Sequence, residues 1–273
     1  MASWMYGFCE ALRTSPERFS GGSTATGVSG GAINAVCLAS GVSVAPDSDF
    51  ITVMKQTLRR RGSNTTLAVR EALDATLPDD VAAQISGRAI VAMVEANGGP
   101  WRWSKPLLAS EFESKEDVIG AVCASAHLPF LMNGEATASW RGKRYVDAAV
   151  SGRGIIHVEG AVHVSICPPM TYIEDYDPGK KSHGAGIQQL QDWFHATEGA
   201  PSDAHPWLAP PDDERDARRA GTALPSSFMS VASDVFGVRA RKGAGQDRYR
   251  MGQEAFRVWS ERRHVVEHAM SSR

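Results

Sequence analysis

The stretch Thr26-Gly27-Val28-Ser29-Gly30-Gly31-Ala32 decides the fold of this chain. It holds one serine in the pattern G-x-S-x-G, and residues 32–39, which are mostly small and apolar, follow directly. The pattern is typical of a sharp turn between a strand and a helix, because glycines two residues on either side of the serine remove Cβ atoms that would collide. A helix that begins there also directs N–H groups toward a developing oxyanion. The stretch predicts Ser29 as a nucleophile, although the pattern also occurs in ordinary loops of chains with many glycines.

Length and composition are those of an ordinary globular protein. The chain has 273 residues, of which 42% are hydrophobic and 22% charged, and its formal net charge is −2. This length suits one large α/β domain or two small ones. The near-neutral charge argues against a nucleic-acid binder that relies on bulk positive charge. The sequence contains no run of 18 apolar residues, which predicts no transmembrane helix, and residues 1–12 do not resemble a signal peptide.

The four cysteines are scattered, and no two of them form a C-x-x-C pair. This distribution argues against a zinc or redox site and favours reduced core cysteines in a cytosolic protein. They are Cys9, Cys37, Cys123 and Cys167.

Predicted strands and helices alternate along the chain. Residues 88–94 form a continuous apolar run, typical of a central strand covered on both faces, and residues 143–146 and 161–167 also predict strands. Helices are predicted over residues 4–12, 30–41, 65–77 and 248–270, and after an N-cap at Ser114. This alternation predicts an α/β fold with a mostly parallel sheet between helical layers.

Two segments allow more than one interpretation. Residues 171–246 are rich in Pro, Asp and Arg, which predicts an irregular insertion, either a lid-like segment or a surface excursion without function. An apolar and aromatic cluster is expected to pack in the core at the end of a strand, and contact with lipid is the alternative. Its members are Trp101, Trp103, Pro106, Leu107 and Leu108.

A serine nucleophile needs a base that takes its proton, and two arrangements are available. A Ser–His–Asp triad needs a histidine in a tight loop after a buried strand. No late histidine has that setting, and His127 and His163 are better explained as structural residues. The late histidines are His183, His195, His205, His264 and His268. The second arrangement is a Ser–Asp dyad, for which Asp147 qualifies because it ends a predicted strand and precedes two alanines, although such an aspartate is also common in turns.

Several longer segments carry a resemblance to a known family. Residues 107–130, LLASEFESKEDVIGAVCASAHLPF, are similar to the segment S-E-F-x-S-x-E-x-L…A-S-x-x-I-P-F of the patatin-like phospholipases. Residues 140–152, WRGKRYVDAAVSG, resemble the same family's G-x-x-Y-V-D-G-G-x-S-x-N. Together with G-x-S-x-G and the helix at residues 251–259, the likeness covers about residues 4–170 and the C-terminal end. The adipose triglyceride lipase group of this family looks most similar.

The resemblance implies a fold, a site and a reaction. The fold is a three-layer α/β fold in a single domain over residues 1–273, with residues 171–246 as an insertion. Ser29 takes the position of the nucleophile and Asp147 that of the general base. Motif and oxyanion positions fall on Gly27, Gly30, Gly31, Ala148 and Ala149. The reaction is hydrolysis of glycerolipid esters through an acyl-enzyme, with no metal or organic cofactor.

The same resemblance implies where the protein acts. Its expected partner is a glycerolipid substrate at a membrane or lipid-droplet surface, and no nucleic acid is expected. The expected location is the cytoplasm, with peripheral contact to such surfaces.

The sequence departs from the family pattern at two places. Ala148 stands where the family has glycine, and if that position has a positive φ, alanine costs about 1 kcal/mol there. Family members also begin with a strand and a glycine-rich loop that forms the oxyanion hole, whereas this sequence begins at the helix that follows, so we expect both to be lacking. An alternative is therefore a catalytically impaired relative that binds lipid surfaces or a partner protein. A further alternative is a non-lipid esterase or an acyltransferase using the same site.

Overall fold

A computed structural model describes most of the first 148 residues and selected later ones. The described residues are 2–15, 19, 22–62, 64–97, 103–148, 163–164, 207–208, 246, 249–250, 252–254, 256–257 and 260. The chain divides into two compact units, one formed by Met1–Ala11 with Ile155–Arg273 and the other by Leu12–Gly154. The predicted single domain with an insertion over residues 171–246 stays a prediction.

The second unit contains a five-stranded sheet centred on one buried strand. The strands are β1 (Ala25–Val28), β2 (Ala89–Ala96), β3 (Trp103–Ala109), β4 (Ala138–Trp140) and β5 (Lys143–Val146). β2 pairs with β1 in parallel and with β3 and β5 in antiparallel orientation, and β4 pairs with β5. Residues 91–94 of β2 are fully buried, which explains the continuous apolar run in the sequence.

Three strands bond to β2, although a strand has only two edges. β3 pairs with β2 from Val91 to Ala96, and this span overlaps the partners of both β1 and β5. β3 therefore occupies one edge, and β1 and β5 share the other edge, one after the other. This arrangement brings the ends of two strands that are far apart in sequence to the same place.

Helices surround this sheet. They are α2 (Gly30–Ser40), α3 (Asp49–Arg61), α4 (Thr65–Thr76), α5 (Val81–Ile85) and α6 (Lys115–Ser125). A further helix, α1 (Ala2–Arg13), begins the chain, and most of its residues belong to the other unit. α2 ends at Gly41, whose φ of 74° is the left-handed conformation that glycine favours. Ser114 caps α6 by accepting the N–H of Asp117. α2 and α6 are rich in small, buried residues, which lets both pack closely against β2.

The hairpin of β4 and β5 is fixed to α6. Its turn, Arg141-Gly142, has positive φ at both positions, 45° and 73°, as a type I′ turn requires. Asp117 in the first turn of α6 accepts hydrogen bonds from the Arg141 guanidinium, and its backbone carbonyl accepts one from Trp140 Nε1 at 3.0 Å. A Cβ at Gly120 would lie 2.9 Å from Trp140 Cδ1. The indole therefore packs directly on the backbone of α6.

The other unit is described only in parts. Gly7 of α1 contacts the backbone of Tyr249 so closely that a Cβ would lie 1.9 Å from the tyrosine carbonyl oxygen. The rings of Phe8 and Phe256 meet edge to face, with centroids 5.5 Å apart. Two short strands, β6 (His163–Val164) and β7 (Trp207–Leu208), pair in parallel. Most of the predicted insertion, and parts of the predicted strand at 161–167 and helix at 248–270, lie outside the described residues.

The predicted α/β class is confirmed, as are the helices at the start of the chain, after Ser29, at 65–77 and after Ser114. Within its described residues the five-stranded sheet is mixed, because β1 and β2 pair in parallel whereas its other strand pairs are antiparallel. β2 continues into β3 after residues 97–102, which are too few for the crossover that a parallel pair needs. α3, α5, β3 and β4 were not predicted from the sequence pattern.

Two of the described cysteines, Cys37 and Cys123, occupy the predicted core positions, and Cys9 is partly buried. Cys9, Cys37 and Cys123 are free thiols, and Cys37 and Cys123 are buried. Burial raises the pKa of Cys123 to about 11, which keeps its thiol protonated. Cys167 lies outside the described residues. Among the described helices, none is both long and apolar enough to cross a bilayer.

Candidate active site

Ser29 lies at a sharp turn between β1 and α2. Its φ of 57° and ψ of −127° are unusual for a residue with a side chain, and such strain costs about 1–3 kcal/mol that the surrounding structure must offset. Ser29 occupies the N-cap position of α2, yet its side chain makes no capping hydrogen bond. The Ser29 hydroxyl is therefore not used to cap the start of α2. It is available for a chemical role.

The glycines of the G-x-S-x-G pattern differ in what they do. A Cβ at Gly27 would lie 2.0 Å from the carbonyl oxygen of Gly31, so only glycine fits at position 27. A Cβ at Gly31 would have no atom within 4 Å apart from its chain neighbours and the backbone of its own helix. The expectation that both glycines avoid a collision is thus correct for Gly27 and wrong for Gly31, because it is the backbone of residue 31 that approaches residue 27.

A pair of substitutions tests this asymmetry. Gly27→Ala should lower the free energy of unfolding by about 3 kcal/mol or more, because the clash is with backbone that cannot move aside. Gly31→Ala should change it by less than about 1 kcal/mol, in the stabilising direction, since alanine favours a helix over glycine. Urea denaturation followed by tryptophan fluorescence measures both variants. Equal effects of the two substitutions would contradict the described turn.

The backbone amide of Ser29 is held by a side chain that sequence reasoning missed. The N–H of Ser29 donates to Ser125 Oγ at 3.0 Å, and Ser125 Oγ donates to the carbonyl oxygen of Ala92 in β2 at 2.7 Å. Ser125 is the last residue of α6 and is fully buried. The only signal for it in the sequence is the run ASAHLPF, whose serine sits among small residues at the end of a predicted helix.

Asp147 follows β5 and is fully buried. Its N–H donates to the carbonyl oxygen of His127 at 2.9 Å, just beyond the end of α6. Ala148 is also fully buried and packs with Val94 and Val146. The non-glycine residues with positive φ in the described chain are Ser29, Phe130 and Arg141. Ala148 is not among them, so alanine at this position carries no left-handed strain, while Ala149 lies outside the described residues.

The structure brings Ser29 and Asp147 to the same point of the sheet. β1 ends with Val28 opposite Ala92 of β2. β5 runs in the opposite direction along the same edge and ends with Val146 opposite Val94. The two strand ends thus face each other across the position of Met93, and the next residues are Ser29 and Asp147. Val28 packs against the cluster that contains Val146 and Ala148, which agrees with this proximity.

The first turn of α2 supplies N–H groups beside Ser29. The N–H groups of the first helical residues have no partner within a helix, and here they belong to Gly30 and Gly31. Within the described residues, no hydrogen bond occupies either of them. The Gly30 carbonyl oxygen accepts a hydrogen bond from Asn34 Nδ2 at 3.3 Å, which steadies this turn.

His127 has a structural setting, as the sequence analysis expected. Its side chain is fully buried, and Nε2 lies 3.1 Å from the carbonyl oxygen of Glu135. Because a carbonyl oxygen only accepts, Nε2 carries the proton in this contact. His163 is described only within β6, and the late histidines lie outside the described residues. The part of the chain that the structure describes therefore contains no Ser–His pair at Ser29.

His127 should make stability depend on pH. Burial lowers the pKa of His127, and the hydrogen bond and charge of Glu135 act in the opposite direction but are outweighed. The unfolded chain therefore binds a proton at higher pH than the folded one. We expect the contribution of His127 to be fully present above the usual histidine pKa of about 6.5 and to be lost as the pH falls toward the lowered value.

Urea denaturation at several values between about pH 8 and about pH 5 measures this contribution. His127→Gln is the matched variant, because its amide can still donate to the Glu135 carbonyl oxygen but carries no titratable proton. The native protein should lose more stability than the variant over this interval. Parallel pH profiles would show that His127 does not titrate in the expected direction.

A separate cavity lies away from this site. It has a volume of about 530 Å³ and is lined by residues that include Arg13, Ser40, Gly41 and Arg88. These residues surround the C-terminal end of α2, whereas Ser29 precedes its N-terminal end. The cavity and Ser29 therefore lie at opposite ends of α2.

Comparison with known proteins gives a consistent result. The sequence profile of the patatin-like phospholipases matches residues 2–157, which is more than half of the chain. The 1-acylglycerol-3-phosphate O-acyltransferase Pnpla3 of Mus musculus is 30% identical over 132 residues, covering 46% of this chain and 30% of the relative. The human protein of the same name is 27% identical over 161 residues, covering 55% of this chain and 31% of the relative. The matched region thus spans less than a third of either relative.

Proposed function

This chain belongs to the patatin-like phospholipase family, and on that premise we propose that it cleaves glycerolipid esters through a Ser29–Asp147 dyad. The family and the relatives support an enzyme of lipid acyl chemistry in general. The observation that carries the more specific proposal is the meeting of two strand ends beside Met93, one leading to Ser29 and the other to Asp147. A nucleophile needs a base in its vicinity, and this arrangement supplies a carboxylate.

In the first half of the proposed reaction, Asp147 takes the proton of the Ser29 hydroxyl while Oγ attacks the ester carbonyl carbon. The carbonyl oxygen becomes an oxyanion, toward which the N–H groups at the start of α2 can donate, Gly30 foremost. The tetrahedral intermediate then collapses. The bond to the alcohol oxygen breaks, and Asp147 returns the proton to the departing alcohol, which leaves an acyl group on Ser29.

In the second half, water replaces the alcohol. Asp147 takes a proton from the water as its oxygen attacks the acyl carbon. Collapse of the second intermediate breaks the bond to Ser29 Oγ, returns the proton to the serine and releases a fatty acid. The proposed reaction needs no cofactor, because Asp147 transfers the proton in each half: from Ser29 to the departing alcohol, and then from water to Ser29.

We also propose that the substrate is met at a membrane or lipid-droplet surface. Large apolar side chains are exposed in the same unit as the site. Leu107 and Leu108 of β3 are 37% and 48% exposed, and Phe130 is 56% exposed. The expectation that Leu107 and Leu108 pack in the core is therefore wrong, and their exposure supports contact with lipid. Trp101 lies outside the described residues.

Substitution of the two residues tests the proposed dyad. The purified protein should release fatty acid from a short-chain ester, and faster from phosphatidylcholine vesicles, while Ser29→Ala should abolish both activities. Asp147→Asn should slow them by roughly 100- to 10,000-fold, the usual contribution of a general base. A fluorophosphonate should label Ser29 in the native protein, which mass spectrometry of the labelled peptide can verify.

Asp79→Asn is a matched control, because the Asp79 side chain is exposed and bound only to Lys115 among the described residues. It should leave activity unchanged. Fatty-acid release that persists in Ser29→Ala would contradict the nucleophile. A native protein that is folded but neither labelled nor active would support the alternative of an impaired, lipid-binding relative.

Acyl transfer is a second candidate, because both relatives are named as acyltransferases for 1-acylglycerol-3-phosphate. The acyl-enzyme is common to both reactions. In transfer, the free hydroxyl of 1-acylglycerol-3-phosphate attacks the acyl carbon in place of water, and Asp147 takes the hydroxyl proton. The product is then a diacylated glycerol phosphate instead of a fatty acid.

A product assay decides between water and alcohol as acceptor. With a p-nitrophenyl ester as acyl donor and 1-acylglycerol-3-phosphate present, we expect fatty acid to remain the main product. Mass spectrometry measures both products in the same reaction, and Ser29→Ala gives the background. Diacylglycerol phosphate that predominates and disappears in Ser29→Ala would establish transfer and overturn hydrolysis as the main activity.

A further inference from the structure

The hydroxyl of Ser125 stands between the turn at Ser29 and the central strand. We propose that Ser125 is a positioning residue, which holds the nucleophile in its strained backbone conformation and thereby orients its side chain. The inference rests on the proposed role of Ser29 as nucleophile. It concerns a residue that touches neither substrate nor reacting atoms and that acts through the backbone of Ser29.

The direction of both hydrogen bonds follows from simple chemistry. A hydroxyl has one proton and two lone pairs. The carbonyl oxygen of Ala92, 2.7 Å away, can only accept, so the Ser125 proton points to it. A lone pair of the same oxygen then accepts the N–H of Ser29 at 3.0 Å. The hydroxyl thus satisfies one buried acceptor and one donor at the same time.

The location of this bridge explains why a side chain is needed. Val28 is the last residue of β1 and pairs with Ala92. Beyond it the chain leaves the sheet and adopts the positive φ of Ser29. The Ser125 hydroxyl lies between the Ser29 N–H and the Ala92 carbonyl oxygen, in place of a direct bond between the two strands. It therefore links the elbow to β2 at the point where the strand pairing ends.

Burial makes this link hard to replace. Ser125 and Ala92 are both fully buried. Without the hydroxyl, the carbonyl oxygen of Ala92 would lose a partner where water has no ready access and would bear the cost of desolvation. The N–H of Ser29, on a partly buried residue, would lose the bond that holds it. The least costly response is movement of the Ser29 backbone, because that residue already holds a strained conformation.

Ser125→Ala should therefore impair chemistry more than binding. A nucleophile displaced by a fraction of an ångström to about one ångström loses roughly 10- to 100-fold in rate. We expect kcat on a short-chain ester and the rate of fluorophosphonate labelling to fall by that factor. KM should stay within about twofold, because substrate contacts are unchanged.

Ser86→Ala is the matched control. Ser86 Oγ donates to the Ala82 carbonyl oxygen at 2.8 Å and accepts the N–H of Phe112 at 3.1 Å. It thus forms a bridge of the same kind in the same unit, but one that involves neither strand end at the site. Its removal should leave kcat, KM and labelling within about twofold of the native values.

Amide hydrogen exchange provides a readout that does not require activity. The Ser29 amide should be protected in the native protein and in Ser86→Ala, and should exchange faster in Ser125→Ala. If Ser125→Ala does not fold, the native protein still tests the inference, because an unprotected Ser29 amide would overturn it. The inference would also be overturned if a folded Ser125→Ala protein were labelled, and exchanged its Ser29 amide, at the rates of the native protein.

The two proposals fail in different ways. Normal labelling of Ser29 in the native protein together with full activity of Ser125→Ala would overturn only the positioning role. A native protein that is folded but not labelled at Ser29 would overturn the proposed function and, with it, the catalytic meaning of Ser125. Both proposals would be supported by three results seen in Ser125→Ala and not in Ser86→Ala. These are slower labelling of Ser29, a lower kcat with unchanged KM, and faster exchange of the Ser29 amide.

Discussion

The end of α6 and the two residues after it bind the backbone on both sides of the candidate site, and the geometry of Ser29 and Asp147 depends on these hydrogen bonds. The Ser125 hydroxyl accepts the N–H of Ser29, and the His127 carbonyl oxygen accepts the N–H of Asp147. Two residues that are 118 positions apart (147 − 29) are thus fixed to one short segment. A strained conformation such as that of Ser29 persists only when its surroundings determine it fully. The hydrogen bond to Ser125 at the end of α6 is one of these constraints, and the close approach of Gly27 to Gly31 is another.

The start of α6 fixes the element that carries Asp147. Asp117 binds Arg141 and Trp140 at the tip of the β4–β5 hairpin, while the other end of β5 reaches Asp147 beside the end of the same helix. The hairpin is therefore held at both ends by one helix. Sites built on helices and strands hold their geometry more accurately than sites on loops. The candidate dyad has this kind of support on both residues.

The sequence was informative where a local pattern has one physical cause. Continuous hydrophobicity predicted β2, because both faces of that strand are covered. The G-x-S-x-G pattern predicted the turn at Ser29, because Gly27 has no room for a Cβ. β3 was not predicted, because Ser104, Lys105 and Pro106 interrupt its apolar pattern. Both of its leucines are exposed. α3 was missed because most of its residues are polar, so that its apolar face is narrow.

Other parts of the site could not be predicted because they are pairings between distant residues. Ser125 and Ser29 are separated by 96 positions (125 − 29), and a serine among alanines at the end of a helix has no distinctive pattern. The sharing of one β2 edge by β1 and β5 likewise depends on where β3 pairs, which composition does not reveal. The family resemblance located the segment that contains Ser125, but it did not provide the physical reason for a serine there.

The departure from the family pattern at position 148 has a physical explanation. The family's glycine suggests a need for positive φ, and alanine would then be strained. Ala148 does not have positive φ, and its methyl group is fully buried beside Val94 and Val146. A glycine there would leave that space unfilled and would gain no conformational freedom that the turn requires. Gly27 is the opposite case, because its hydrogen faces the backbone of Gly31 and no side chain fits. Position 27 therefore requires a small residue for a steric reason, whereas Ala148 fills space in the core. Only the steric requirement at position 27 is a condition for the turn at Ser29.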